Sequence, residues 1–388
     1  MRYQKPTNPS GIQIIIKPLL AAVICLAINL AATASSLTSV PLNNPAISFK
    51  GAHYTQYGET FSPESGRTGP QFVQPLRFSE AVLQMPVQLL RFSPTIARWA
   101  AGIEMHLATT SQNIVITMDT LPTKRGRERF GIGQVYKDGN LLKDYRLKSA
   151  KKTVATQIHI QSLDGKKHHY RIMLPATMAV RITRLEIDKG AKLSKVQLPS
   201  KPVYIAMGDS ITHGSAGLDG ISTYSYPYLL ASNLGYDLYN LGIAAGRVSP
   251  RLGTMLKDWE EIGFITLLIG YNDLSWAGIP KVNYLNFYSE LLQNIRRSHP
   301  DTPLFCITLT FTTLKKSPKT GITPEEYREI VRALVKKFQD QGDKNTHLIE
   351  GETLNDITGL LYSVHLNIKG NQEVAQKLGE IIKAQLNQ

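Results

Sequence analysis

Val203-Tyr204-Ile205-Ala206-Met207 runs without a break into Gly208-Asp209-Ser210-Ile211-Thr212. Five consecutive apolar residues have no polar alternation, so they read as a short strand covered on both faces, as in a parallel sheet. Only Gly208 and Asp209 separate the strand from Ser210. The serine is therefore expected at the carboxyl edge of the sheet, where ligands of open α/β folds collect.

Further along, the same grammar repeats. Apolar runs at 264–269 and 304–309 read as two more buried strands. Amphipathic stretches at 226–234, 284–297, 324–339 and 371–386 read as helices. Thr323-Pro324-Glu325-Glu326 is a capping box with proline at the first helical position. Strands alternating with helices predict a parallel sheet covered on both faces. The boundary of this part falls near residue 200, after a linker at 193–201.

The preceding residues are written differently. A loop-rich entry at 35–75 is followed by short alternating runs: 113–118, 131–136, 141–147, 153–161, 168–174 and 180–187. Lys137-Asp138-Gly139-Asn140 between two of them is a hairpin signal, and Asp164-Gly165 repeats it. The spacing predicts an all-β sandwich over 35–200, with no helix of substantial length. Residues 1–34 carry Arg2, Lys5 and Lys17, no acid, an apolar stretch at 18–30 and Ala32-Thr33-Ala34. That is the pattern of an export signal cleaved after Ala34, with the periplasm or cell exterior as destination; an uncleaved anchor is the alternative.

Charge divides along the same line. The net charge is +14 over 388 residues. Residues 35–200 hold 23 Lys/Arg against 11 Asp/Glu, whereas 201–388 hold 18 against 19. The excess suits an anionic glycan or membrane surface; basic residues without interleaved aromatics argue against nucleic acid. Cys25 and Cys306 cannot build a disulfide framework or a cysteine zinc cage. Gly131-Ile132-Gly133 lacks the third glycine and following helix of a dinucleotide site. His168-His169, next to Lys166-Lys167, reads as a solvated basic tip. No metal or cofactor is expected.

Three further segments follow Ser210 in order. They are Asn240-Leu241-Gly242-Ile243-Ala244-Ala245-Gly246, then Gly270-Tyr271-Asn272-Asp273 after a strand, then Tyr362-Ser363-Val364-His365-Leu366-Asn367 before the last helix. Serine becomes a competent nucleophile when a neutral imidazole takes its proton. Fixed amide donors then stabilise the oxyanion of the tetrahedral intermediate. Over 202–388 the order and spacing of these blocks resemble the SGNH (GDSL) hydrolase superfamily. The resemblance implies a flavodoxin-like sheet, Ser210 as nucleophile and His365 as general base. It also implies an oxyanion hole from the N–H groups of Ser210 and Gly242 and the side chain of Asn272. A sandwich ahead of such a domain resembles exported carbohydrate esterases with a jelly-roll module, which implies deacetylation of a saccharide.

One position departs from that pattern. The family's aspartate, three residues before the histidine, is here Tyr362. The candidates to orient His365 in its place are Asp356, Glu352 or, in a Ser–His dyad, a backbone carbonyl. A lipase or thioesterase on the same residues is an alternative reading, as is an inert binding protein that uses the basic sandwich. The sequence leaves the oligomeric state open.

Overall fold

In the computed structural model, residues 36–122 and 128–387 are described. The export-signal reading of 1–34, Cys25 included, lies outside them. Residues from Leu37 onward pack as one unit.

The first half forms two antiparallel sheets. One runs in the order Tyr54–Tyr57, Val73–Leu76, Val180–Asp188, Asn113–Thr120, Val154–Gln161. The other runs Leu193–Ser194, Glu104–Thr109, His168–Met173, Arg129–Lys137, Asn140–Ser149. Leu37–Ser39 and Ser48–Lys50 each add an edge strand. Asp138 and Gly139 both have positive φ, 50° and 87°, so the expected hairpin closes on a turn whose twist suits it. The strands flanking Asp164-Gly165 do not form a second hairpin. Val154–Gln161 pairs with Asn113–Thr120, while His168–Met173 pairs with the opposite sheet. Each strand buries one apolar face, Ile158 and Ile160 on one and Tyr170 and Ile172 on the other. Both faces are satisfied when the connection crosses the sandwich and the two strands meet the same core from opposite sides.

The second half is a five-stranded parallel sheet. In chain order its strands are Val203–Gly208, Asp237–Gly242, Phe264–Leu268, Leu304–Ile307 and Thr346–Ile349, and they lie side by side as 2-1-3-4-5. This is the flavodoxin-like order, whose switch point falls beside the first strand. Helices Tyr226–Leu234, Lys281–Ser298, Pro324–Asp340 and Ile368–Leu386 pack around it. The Thr323 capping box is formed in both directions.

A segment of the first half joins the second core. Three single-turn helices, Glu80–Leu83, Val87–Leu90 and Pro94–Ala97, bring Phe78, Val82, Leu83, Leu90 and Phe92 into the cluster around the parallel sheet. Just before them stands Arg77, fully buried. Its Nε donates to Trp99 O at 2.7 Å, and Nη1 donates to Asn240 O and Gly242 O at 2.7 and 2.6 Å. Nη2 reaches Ala97 O at 3.2 Å. Burial lowers its pKa to about 9, which still leaves the guanidinium charged at neutral pH. His213 adds to this seam. Its two ring nitrogens lie 2.9 Å from Gly242 O and 2.8 Å from Ala176 O, and burial holds its pKa down at about 3.

Arg77→Met keeps the stem but strips donors from several buried carbonyls, each worth roughly 1–3 kcal/mol when left unsatisfied. A loss of about 3 kcal/mol or more is expected in urea unfolding. An unchanged midpoint would show that the seam does not depend on this side chain.

Candidate active site

The first strand delivers Ser210 as expected. Gly208 is paired with Gly242 on one side and with Leu268 on the other. Directly after it, the chain turns into a single helical turn, Ser210–His213, capped by Asp209, whose carboxylate accepts from Ile211 N at 3.1 Å. The turn folds back tightly over the strand ends. A Cβ on Gly208 would sit 2.0 Å from Thr212 Oγ1 and 2.4 Å from Leu268 O. Asp209 is fully enclosed, and burial pushes its carboxyl up to about 7.

Ser210 Oγ lies 2.9 Å from Nε2 of His365, across 155 residues of chain. With Nε2 accepting, the ring carries its proton on Nδ1, for which no protein acceptor is found among the described residues. Burial alone lowers the His365 pKa below its ordinary value. Asp356 is not brought to the ring. Its Oδ1 accepts from the backbone N and Oγ1 of Thr358 at 2.7 and 2.6 Å, capping the turn Ile357–Gly359. Glu352 is paired with Arg328 at 3.1 Å. Tyr362 stands edge-on to the imidazole, ring centroids 6.5 Å apart, and is largely exposed. The histidine loop is anchored elsewhere: Leu361 N donates to His365 O at 2.8 Å, and Thr313 N to Ser363 O at 3.1 Å.

Asn272 follows the Phe264–Leu268 strand and is held at both ends of its amide. Nδ2 donates to Gly246 O at 2.8 Å, and Oδ1 accepts from Trp276 Nε1 at 2.8 Å. These bonds fix which way the amide points and leave one N–H unused. The next residue, Asp273, is buried. It accepts from Arg91 Nη2 and from Val248 N, both at 2.9 Å, and burial nonetheless raises its pKa to about 6.

Gly242 departs from the role expected of it. Its N–H donates to Asn240 Oδ1 at 2.9 Å, and Arg77 and His213 contact its carbonyl. A Cβ there would meet His213 N at 2.4 Å. The glycine is required because the serine turn crosses directly above it; its amide is not free for an oxyanion. Two donors of the expected three remain, the N–H of Ser210 and the second amide hydrogen of Asn272. The loop beyond Gly242 passes through Ala245, at φ +59°, to Gly246, the residue that positions Asn272. The second glycine of Gly242-Ile243-Ala244-Ala245-Gly246 was the only sequence signal for that contact. Arg91 had none, because its partner lies 182 residues away.

A serine and an imidazole in contact at the switch point of a flavodoxin-like sheet are the groups that nucleophilic ester hydrolysis would need. Residues 206–373 match the model of the GDSL-like lipase/acylhydrolase family, and that match marks the second half of the chain as a carboxylic-ester hydrolase domain. No curated protein matches the chain in sequence. Among solved structures, a salicylyl acyltransferase from a tetracycline biosynthetic pathway is similar over 90% of this chain and 97% of its own, at 22% identity and TM-score 0.74. A family two carbohydrate esterase from Clostridium thermocellum, in complex with cellohexaose, is similar over 86% and 99%, at 17% identity and TM-score 0.61. An acetyl xylan esterase from the rumen bacterium Butyrivibrio proteoclasticus matches over 91% and 98%, at 12% identity and TM-score 0.58. At such identities the likeness is one of fold, and it extends over both halves of the chain.

The neutral imidazole is the active form of a base, so activity rises with pH through the pKa of His365. Because burial lowers that pKa, the acid limb of kcat/KM is expected to have its midpoint below 6.5. Tyr362→Asp places a carboxylate beside the ring, favours the imidazolium, moves the midpoint upward and raises kcat. Asp356→Ala should leave kcat within about twofold, since a large loss from a positioning aspartate, of order 10⁴, belongs to one bonded to the imidazole. Profiles of both variants on one acetyl ester between pH 4 and 9 check this, and a collapse in Asp356→Ala would restore the triad.

Proposed function

We propose that the chain hydrolyses O-acyl esters of a carbohydrate, acetyl esters foremost, through a Ser210–His365 dyad. The observation that carries this reading is the 2.9 Å contact between Ser210 Oγ and His365 Nε2 at the sheet's carboxyl edge. In the first step Oγ attacks the ester carbonyl and its proton passes to Nε2. The negative charge on the former carbonyl oxygen falls within reach of the Ser210 N–H and the free Asn272 N–H. Collapse expels the sugar alkoxide, which takes the proton from His365 and leaves an acyl-serine. Water then repeats the sequence in reverse roles and releases the carboxylic acid. A neutral amide at Asn272 favours the transient oxyanion without holding the anionic product.

The fold shared across both halves with carbohydrate esterases supports the saccharide part of the reading. The export-signal pattern of 1–34 supports action outside the cytoplasm, where such polymers lie. The cationic first half supports contact with anionic surfaces there.

Ser210→Ala should remove ester hydrolysis, by a factor on the order of 10⁶ in kcat, with the fold retained. A serine-directed phosphonate should label the wild type and not this variant. Asn272→Ala should lower kcat by about 10²–10³ with a smaller change in KM. A change confined to KM would make Asn272 a binding residue. Preference for octanoyl over acetyl aryl esters would point to lipid in place of carbohydrate.

A further inference from the structure

Beside the serine lies a cavity of about 530 Å³ built from both halves of the chain. Two of its walls touch the dyad's surroundings directly. Ser215, in one wall, donates from Oγ to Ser210 O at 3.4 Å, and Trp276, in another, holds Asn272. The other side comes from the first half, with Trp99 and Arg129.

The cavity's charge is one-sided. Among the described residues, Arg91, Arg129 and Arg247 line it and no acidic residue does. Arg91 is already committed to Asp273 and to Val248 O. Neither Arg129 nor Arg247 has a carboxylate within salt-bridge distance among the described residues, and Arg247 Nε is buried without a hydrogen-bond partner. A buried guanidinium N–H left unpaired is costly, so a water or a ligand that enters the cavity and accepts from Arg247 Nε is favoured. Each of these two cations also sits near an indole: Arg129 lies 5.2 Å from the Trp99 ring and Arg247 5.7 Å from that of Trp276. The site thus combines the half-exposed Trp276 indole, an apolar face suited to the body of a sugar ring, with two forked donors suited to a carboxylate.

We propose that the substrate is an acylated acidic saccharide, whose uronate carboxylate is bound by Arg247 and Arg129 while its ester lies at Ser210. This rests on the reading of the protein as a carbohydrate esterase and names the class of carbohydrate.

The test compares three acetyl esters: 4-nitrophenyl acetate, acetylated xylo-oligosaccharides, which are neutral, and acetylated galacturonate oligomers. The expected kcat/KM for the acidic oligomers exceeds that for the neutral ones at least tenfold. The advantage should shrink as salt is raised, because partly exposed charges are screened. In Arg247→Gln and in Arg129→Gln the ratio of acidic to neutral activity should fall tenfold or more, chiefly through KM. A binding measurement needs no turnover. Full-length Ser210→Ala protein should bind unacetylated trigalacturonate, and adding Arg247→Gln should weaken that binding at least tenfold. Equal activity on acidic and neutral oligomers, or trigalacturonate binding indifferent to both arginines, overturns the inference while leaving the esterase reading intact. Failure to hydrolyse even 4-nitrophenyl acetate overturns the esterase reading, and with it the acylated substrate.

Discussion

The buried guanidinium of Arg77 is the constraint on which the two halves of this molecule depend. Among the described residues it has no carboxylate partner and is satisfied by backbone carbonyls, from Ala97 and Trp99 on one side and from Asn240 and Gly242 on the other. A cation solvated by carbonyl dipoles must keep all of them in place, because each is a poor substitute for water unless the geometry holds. Those carbonyls belong to the segment that walls the cavity and to the strand that abuts the serine turn. Fixing one against the other fixes the distance across the site. His213, between Gly242 and Ala176, repeats the arrangement with a neutral ring.

Arg91 and Asp273 extend the same logic to the third strand. Asp273 directly follows Asn272, so its bonds to Arg91 and Val248 N set where the amide can point. Removing Arg91 would leave a buried carboxylate held by one backbone donor. Burial already raises the pKa of Asp273, and an unpaired carboxyl would take up a proton more readily still. The first half is therefore more than an appended module. Through two arginines from residues 77 to 91, it shapes the oxyanion side of the second half's site.

How far this was legible in the sequence depends on where each residue's partners lie. Helix Tyr226–Leu234 ends as read, because Pro227 starts it and Gly235, at φ +76°, stops it. The strand Asp237–Gly242 was not read as one, since Asp237 and Asn240 interrupt its apolar pattern. Asn240 is tolerated there because its side chain donates to Thr212 O and accepts from Gly242 N, a use invisible in local sequence. Thr346–Ile349 is too short to show a period, and so are the single-turn helices of 80–97. Ser210, Asn272 and His365 stand out in the sequence because each sits in a short segment of recognisable chemistry, and the fold brings Ser210 and His365 into contact. Gly242 was misread because a glycine that lets a helical turn pass overhead looks, in sequence, like one that lets a substrate approach. Arg77 lies 165 residues from Gly242, and no pattern along the chain marks that pairing.

The site that results is uneven in its support. On the oxyanion side, both ends of the Asn272 amide are tied, so its free N–H needs no reorganisation when charge appears on the substrate oxygen; such a donor is worth about 10²–10³ in rate. On the imidazole side, His365 has its Nε2 on Ser210 Oγ and, among the described residues, no carboxylate bonded to Nδ1. Its imidazolium, once formed, must be stabilised by water and peptide dipoles at the rim of the half-buried ring. A lowered pKa has two opposed consequences. The ring accepts the serine proton less strongly, yet it remains unprotonated, and so competent, further into acid. It also returns the proton to the leaving alkoxide more readily. For an ester, whose alcohol is a far better leaving group than an amine, the first step needs only a modest base. The fixed amide can then supply the larger share of the stabilisation, the condition under which a Ser–His dyad without a carboxylate would suffice for ester hydrolysis.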